Sequence, residues 1–406
     1  MLNTIDLFVG CGGLSEGFEQ SQKYKMLGAV EWELAPVKTL RNHLKNKWKM
    51  SDSDKRVLQF DIQRTEELFK GWNDEKFGIS SGLGSLIGSE SLDVIIGGPP
   101  CQAYSMAGRI RDEHGMRDDY RNYLFESYLK VVERYKPKAF IFENVPGILS
   151  AKPGDGTVKI IDLIQKAFSD SRYVVLDNLK NALIDMTDYG VPQNRKRIII
   201  LGLSKEYYGE RAEELVQSFY TSYLPEYKVE KKSTVRDAIG DLPKLRPLDE
   251  VISYDGRKLS HALPSPMING HVSRFHSKRD IELFKFLEED IASGTMKYTS
   301  TESLKELYTK LTGKTSNVHK YHVLRWDEPS NLIPAHLFKD GLRHIHPDPE
   351  QARTITVREA ARLQTFPDDY QFNCSQTDAF KMIGNAVPPL FAKKVAWALY
   401  HLIKEN

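Results

Sequence analysis

Cysteine is scarce in this chain: Cys11, Cys101 and Cys374 are the only three, an odd number set far apart. That excludes a disulfide framework and a cysteine-rich metal centre, and it suits a reducing compartment. Long apolar runs are missing too. Arg197–Leu203, among the most apolar stretches, holds about half a dozen such residues, against roughly 20 for a membrane span. The opening MLNTIDLFVGCGG lacks a basic segment followed by a long apolar one, so no signal peptide is expected. Neither sign of charge dominates, since 57 Lys and Arg against 55 Asp and Glu leave +2. Such a balance neither demands nucleic acid nor excludes it. Repeats and low-complexity tracts are absent. The composition, 40% hydrophobic and 28% charged over 406 residues, is that of a globular protein with room for two or three domains. The expectation is a soluble cytoplasmic protein, with no membrane association.

The first two hundred residues alternate short apolar runs with helical patterns. Ile5–Val9, Met26–Val30, Val57–Phe60, Leu92–Ile96, Ala139–Phe142 and Arg197–Leu201 read as buried strands. Tyr123–Tyr135 reads as a helix with Leu124, Tyr128, Val131 and Val132 on one face. This is the pattern of an α/β fold with a mostly parallel sheet covered on both sides. Residues 71–91, rich in Gly and Ser, read as a surface loop. From 204 to 352 the chain is more polar, and eight of the eleven histidines fall there. We read 1–203 as a catalytic and cofactor-binding domain, 204–352 as a second, smaller and irregular domain, and 353–406 as a hinge and return. The alternative is a set of long insertions in one fold.

Three constellations carry chemistry. In Asp6-Leu-Phe-Val-Gly-Cys-Gly-Gly-Leu-Ser-Glu-Gly17 the glycines stand between a strand and a helix, where a ligand can approach bare backbone. The G-x-G-x-x-G fingerprint is half met: Gly10 and Gly12 fit, and Ser15 stands in the third place. Glu31 ends the second strand and suits two ribose hydroxyls, Trp32 offers a flat face to an adenine, and Asp61 could reach the base's amino group. Second, Gly97-Gly-Pro-Pro-Cys101 would hold a thiol rigidly at the carboxyl end of a strand, where open α/β sheets bind ligands. A structural cysteine is the competing reading. Third, Glu143 ends the next strand, and Arg195 and Arg197 alternate to one side of the strand after it. A partly buried carboxylate there would have a raised pKa, and a guanidinium could fix a carbonyl oxygen or a phosphate.

Read in order, DLFVGCGG, EW, FDI, GGPPCQAYS, ENVPG, QNRKR, RTITVREAARLQTFP and GNAVPP resemble the motif series of the DNA cytosine carbon-5 methyltransferases. The likeness covers roughly residues 4–203 and 352–400. It implies a Rossmann-like class I methyltransferase sheet beside a target-recognition domain. It also implies S-adenosylmethionine as methyl donor, S-adenosylhomocysteine as product and no metal. By that likeness Phe8, Gly10, Gly12, Glu31, Trp32, Asp61, Ile62, Pro100, Leu124, Asn385 and Val387 line the cofactor site. Cys101 is the nucleophile, Glu143 bonds the cytosine ring, and Arg197 with Arg195 contacts its carbonyl oxygen. Gln102, Ser105, Arg109 and Arg121 belong to a loop that closes over DNA. That loop, Ala107–Asn122, is longer than the minimal family pattern, and Asn122 stands where a glycine is usual. The partner implied is double-stranded DNA, bound by a monomer associated with the nucleoid, with a cognate restriction endonuclease as a further partner. Basic stretches in 204–352 put Arg274, Lys278 and Arg325 forward as DNA contacts. A tRNA cytosine methyltransferase, a non-catalytic DNA-binding relative and a dehydrogenase on the same sheet are the competing readings.

Overall fold

The computed structural model describes residues 1–100, 124–152, 158–315, 321–339 and 341–406. They form two compact units. The first takes in Met1–Gly190, Arg195–Glu230 and Ala386–Asn406, and the second Val191–Asn194 and Lys231–Asn385. These bounds differ from those expected at 204 and 353. After the last sheet strand the chain stays with the first unit, because the helix Arg211–Ser218 buries Ala212, Leu215 and Val216. The hydroxyl of Tyr220 donates to the carbonyl of Ile199 and accepts from the N–H of Leu201.

In chain order the first unit's strands are β1 (Leu2–Leu7), β2 (Tyr24–Glu31), β3 (Val57–Gln59), β4 (Trp72–Asp74), β5 (Gly78–Ser80), β6 (Val94–Gly97), β7 (Ala139–Asn144), β8 (Tyr173–Val174), β9 (Leu183–Asp185) and β10 (Lys196–Ser204). The central sheet runs β3-β2-β1-β6-β7-β10-β8, with β9 also paired to β10. From β3 to β7 every pairing is parallel, and β10 enters antiparallel to β7. Parallel strands must be covered on both faces, and their residues are accordingly apolar without alternation: Val94, Ile95 and Ile96 are all fully buried, as are Phe140, Ile141 and Phe142. The expected mostly parallel α/β sheet is present.

Two contacts show how the layers close. The helix Leu124–Tyr135 buries the anticipated face, and the hydroxyl of Tyr128 donates to the carbonyls of Ile95 and Ile141. The helix Gly13–Ser21 packs on the last helix, Pro389–Glu405, at backbone contact. A β-carbon at Gly17 would lie 2.4 Å from that of Ala392 and 2.5 Å from the carbonyl oxygen of Pro389. The last twenty residues thus return to the sheet through a gap that only glycine leaves open.

Residues 71–91 are not a plain loop. β4 and β5 pair as a hairpin, and the helix Gly82–Ile87 follows, with Trp72, Leu83 and Ile87 buried. Trp72 stacks on Phe60 at 3.8 Å between ring centroids, so a composition rich in Gly and Ser conceals an aromatic anchor.

The second unit holds the helices Lys278–Ala292 and Thr301–Thr312, packed through Phe284, Leu287, Leu304, Leu307, Val323 and Ile345. It also holds the hairpin strands β11 (Pro247–Tyr254) and β12 (Arg257–His261). The RTITVREAARLQTFP motif lies here. Arg353 and Glu359, both fully buried, form a bidentate pair at 2.6 and 2.7 Å. His261, His271, His276, His344 and His346 are buried, with the imidazole pKa of each lowered first by burial. They serve as neutral hydrogen-bonding groups. His261, for one, pairs with the Gln351 carbonyl at 2.8 Å.

Candidate active site

The register of the sheet assembles the first cluster. Leu7 pairs with Val30 and with Gly97, and Gly97 pairs with Phe142. The carboxyl ends of β1, β2, β6 and β7 therefore lie side by side. The N–H of Val9 donates to the carbonyl of Val30, and that of Phe60 to the carbonyl of Glu31, which extends the edge to Asp61. Phe8, at the first turn, is left-handed at φ 58°. A bulky side chain in that region is strained by about 1–3 kcal/mol, a cost found mostly at functional sites. Gly10 follows at φ 57°, and a β-carbon there would meet nothing within 4 Å. The turn is open on that side.

Glu31 is tied to this turn: its Oε2 accepts from the N–H of Gly10 at 2.9 Å, and its Oε1 from the N–H of Glu33 at 2.8 Å. Burial raises its pKa, and the two N–H groups oppose the rise. A carboxylate has about four lone-pair sites, so two remain for hydroxyl donors. Trp32 is 45% exposed. Lys76 lies over its ring at 4.2 Å, and Phe77 meets its edge at 5.9 Å. Asp61 is half-buried and accepts from the N–H of Gln63, while Ile62 and Leu124 are buried. Val387 is buried against the first helix, its carbonyl oxygen 2.2 Å from where a β-carbon of Gly13 would stand. Asn385 ends the helix Gln376–Asn385, exposed, in the second unit.

The fingerprint's departure at Ser15 has a local cause that the sequence reading missed. Ser15 Oγ donates to Asp6 Oδ2 at 2.6 Å. Asp6 is 1% exposed, and burial pushes its carboxyl up to about 7. A hydroxyl there gives one oxygen of a buried acid its donor, and a glycine could not.

The second cluster stands on β6, β7 and β10. Ile199 is paired with Glu143, and Arg197, two residues away, shares its face. Diagonal neighbours on a sheet lie within reach of a long side chain. Arg197 Nε is indeed 3.0 Å from Glu143 Oε1, with the two side chains 10% and 12% exposed. Burial raises the Glu143 pKa, and the positive charges of Arg197 and then Arg195 pull it down. The anticipated neighbour Arg195 sends its Nη2 to the carbonyl of Ala386 at 2.9 Å, so it reaches Glu143 through its field and not by contact. Gly98 lies against the acid: a β-carbon there would be 2.6 Å from Glu143 Oε2. Asn144, unassigned from sequence, donates from Nδ2 to the Pro99 carbonyl at 3.3 Å and accepts from the Val145 N–H at 2.9 Å. It ties the Gly-Gly-Pro-Pro turn to the strand that bears the acid. Its signal was its place at a strand end beside Glu143. Pro100 is exposed at the end of that turn. Cys101, Gln102, Ser105, Arg109 and Arg121 lie outside the described residues.

The chain matches the family model for C-5 cytosine-specific DNA methylase over residues 2–401. It belongs to that family. It is 34% identical over 459 residues to the type II methyltransferase M.Bpa9945I of Bacillus paralicheniformis, with 98% of each chain covered. It is 29% identical to M.AgeI of Thalassovita gelatinovora, covering 97% of this chain and 98% of the relative. A crystal structure of a candidate DNA modification methyltransferase, encoded within an E. coli prophage, superposes with a TM-score of 0.64 at 26% identity over 100% of both chains. The S. pombe Dnmt2 methyltransferase, at 13% identity and a TM-score of 0.55 over 100% of this chain and 99% of that one, shares the fold. The two clusters lie along the edge of one sheet, at the carboxyl ends of β1, β2, β6 and β7. No helix among the described residues is long and apolar enough to cross a membrane.

The proposed DNA contacts of the second unit differ from one another. Arg274 points inward: Nη1 and Nη2 donate to the carbonyls of Phe338 and Leu337, and the guanidinium lies 4.4 Å from the Phe380 ring. Burial lowers its pKa to about 10. Its hydrogen bonds hold the unit's own backbone, which sets it apart from a phosphate contact. Arg325 is half-buried and donates to the carbonyl of Val323. Lys278 is exposed at the start of its helix.

Proposed function

We propose that this methylase transfers a methyl group from S-adenosylmethionine to carbon 5 of a cytosine flipped out of duplex DNA, through a covalent bond between Cys101 and carbon 6. The observation that supports it most is the Glu143–Arg197 pair, buried at the strand edge where Gly97-Gly-Pro-Pro100 leads into Cys101. The residues fit the cofactor. The turn is open at Gly10, Glu31 keeps lone pairs for two ribose hydroxyls, and the Trp32 ring is exposed. Phe8, Gly12, Asp61, Ile62, Pro100, Leu124 and Val387 would complete that site. When bound, S-adenosylmethionine supplies a methyl group on an electrophilic sulfonium.

Carbon 5 of cytosine is a poor nucleophile within an aromatic ring. Attack of the Cys101 thiolate on carbon 6 breaks the aromaticity and makes carbon 5 enamine-like. Glu143 bonds the ring nitrogen and the exocyclic amino group, and its hold strengthens as charge develops there. Burial favours the protonated carboxyl that such a bond needs, while Arg197 and Arg195 keep it ionisable. The Arg197 guanidinium has five N–H donors. It uses Nε on Glu143 and Nη1 on the Lys196 carbonyl, which leaves donors for the cytosine carbonyl oxygen. After methylation, loss of the carbon-5 proton and expulsion of the thiolate restore the ring. None of this can occur in the stack, so the base leaves it at a cost of a few kcal/mol.

The relatives' names, type II methyltransferases, favour a modification role beside a restriction endonuclease; we propose in addition that the enzyme acts as a monomer on the nucleoid. The test is methyl transfer from labelled S-adenosylmethionine to unmethylated plasmid DNA, followed by bisulfite sequencing. Label at cytosine in one sequence context is expected. Transfer to tRNA and not to DNA, or to neither, would overturn the reading.

A further inference from the structure

Arg257 and Lys258 are placed unlike the other cations of the second unit. They open β12, which pairs with β11 across the turn Asp255-Gly256, left-handed at φ 48° and 71°. That is the backbone of a two-residue hairpin loop. The register sets Tyr254 opposite Arg257, Ser253 opposite Lys258 and Ile252 opposite Leu259. Opposed residues share a face. One face therefore carries Ile252, Tyr254 and Arg257, and the other Ser253 and Lys258. Every residue from Val251 to Lys258 is exposed, with Val251 at 51%, Ile252 at 44% and Tyr254 at 48%. Only the base is anchored, through Leu259 at 4% and His261 at 2% exposure. Neither Arg257 nor Lys258 is held by an ion pair among the described residues.

A two-stranded ribbon with both faces in water is marginally stable, so three large exposed apolar side chains on one call for an occupant. The ribbon's size and charge indicate which. Four residues per strand extend about 13 Å, and the major groove, about 12 Å wide and about 8.5 Å deep, admits a two-stranded β-ribbon. Of the acids, Asp249 and Glu250 lie toward the base, while the far end has two cations against Asp255.

We propose that this ribbon enters the major groove of the DNA substrate, with Arg257 reading a guanine edge beside Tyr254 and Lys258 contacting phosphate. The proposal rests on the DNA-methylation reading and names the element that selects the site. Bisulfite sequencing of mixed-sequence plasmid DNA defines the context methylated by the wild-type full chain. Arg257→Ala, Lys258→Ala and Tyr254→Ala are then compared on a duplex of that context and on a scrambled one, over a range of salt. Arg257→Ala should relax the preference at one base pair by about 5- to 150-fold. Lys258→Ala should weaken binding to both duplexes alike and reduce the salt slope by about 1. Melting temperature and S-adenosylmethionine affinity should not move, since these side chains are exposed. Unchanged context, affinity and salt slope in all three variants would overturn the ribbon's role while leaving the methylation reading intact. A wild type that methylates no cytosine would overturn both.

Discussion

Replacing Arg197 by leucine tests the pair on which the site is built. The substitution removes a guanidinium 3.0 Å from Glu143, in a place where the two side chains are only 10% and 12% exposed. Water can replace little of the lost interaction, and orphaning one member of a buried pair costs about 3–5 kcal/mol. The sign of the pH dependence follows from the opposing effects on Glu143. Burial already raises its pKa, and Arg197 is the first of the two charges holding it down. Without Arg197 the folded-state value climbs further above the unfolded value of about 4.3. Between those two values the folded protein keeps a proton that the unfolded chain releases, so stability falls as pH rises. The slope is at most about 1.4 kcal/mol per pH unit, reached where the pH lies between the two values. Urea unfolding followed by circular dichroism, for wild type, Arg197→Leu, Glu143→Gln and the double variant, measures it. Arg197→Leu should be the most destabilised of the four at pH 7.5 and recover toward pH 5.5. The double variant should lose the excess pH dependence. An equal loss at both pH values, unrelieved by Glu143→Gln, would refute the coupling.

Glu143→Gln should lower the methylation rate by about two to four orders of magnitude with little change in cofactor affinity, and a change of a few-fold would remove it from the mechanism. Cys101→Ser should abolish transfer and the covalent trapping of duplexes carrying 5-fluorocytosine, read by denaturing gel; trapping by the serine variant would rule out this nucleophile. Glu31→Ala and Trp32→Ala should each weaken S-adenosylmethionine binding in calorimetry, the second by about 1–3 kcal/mol of lost stacking; unchanged affinity in both would displace the adenosine site from the end of β2. Gly17→Ala should destabilise the fold by about 1–2 kcal/mol net, because its β-carbon would sit 2.5 Å from the Pro389 carbonyl oxygen and the overpacking cost of about 1–3 kcal/mol outweighs up to about 1 kcal/mol of helix propensity; a raised melting temperature would contradict that.

The strands of the sheet were legible because burial on both faces leaves a mark that needs no partner to interpret. Val94–Gly97 and Ala139–Asn144 are nearly continuous apolar runs, and their ends sit within a few residues of where the runs stop. Glu143 and Arg197 were legible for a related reason. Each is a charge placed where an apolar run meets the sheet edge, and a parallel sheet sends such edges to one side. What the runs could not convey is pairing. That β10 enters antiparallel is what brings Arg197, at its start, beside Glu143, at the end of β7. The same alternation that put Arg195 and Arg197 on one side could not foresee that Arg195 would be taken up by the Ala386 carbonyl, 191 residues away.

Composition misled where a few side chains outweigh many. Between 71 and 91 the glycines and serines describe a loop, yet Trp72 and Phe77, both packed on Phe60, anchor a hairpin there. The density of cations in the second unit misled in the opposite direction. Arg274 was put forward with Lys278 and Arg325 because it lies in a basic stretch, but an arginine's neighbours in sequence are not what its guanidinium meets. Arg274 donates to carbonyls 63 and 64 residues away, so its positive charge helps hold the unit together, whereas Arg257 stands opposite Tyr254 with its face in water. The same chemistry, planar donors on a long stem, becomes scaffold in one place and a candidate contact in the other. Backbone exposure, which a period-two pattern with charges on both faces only hints at, decides between them.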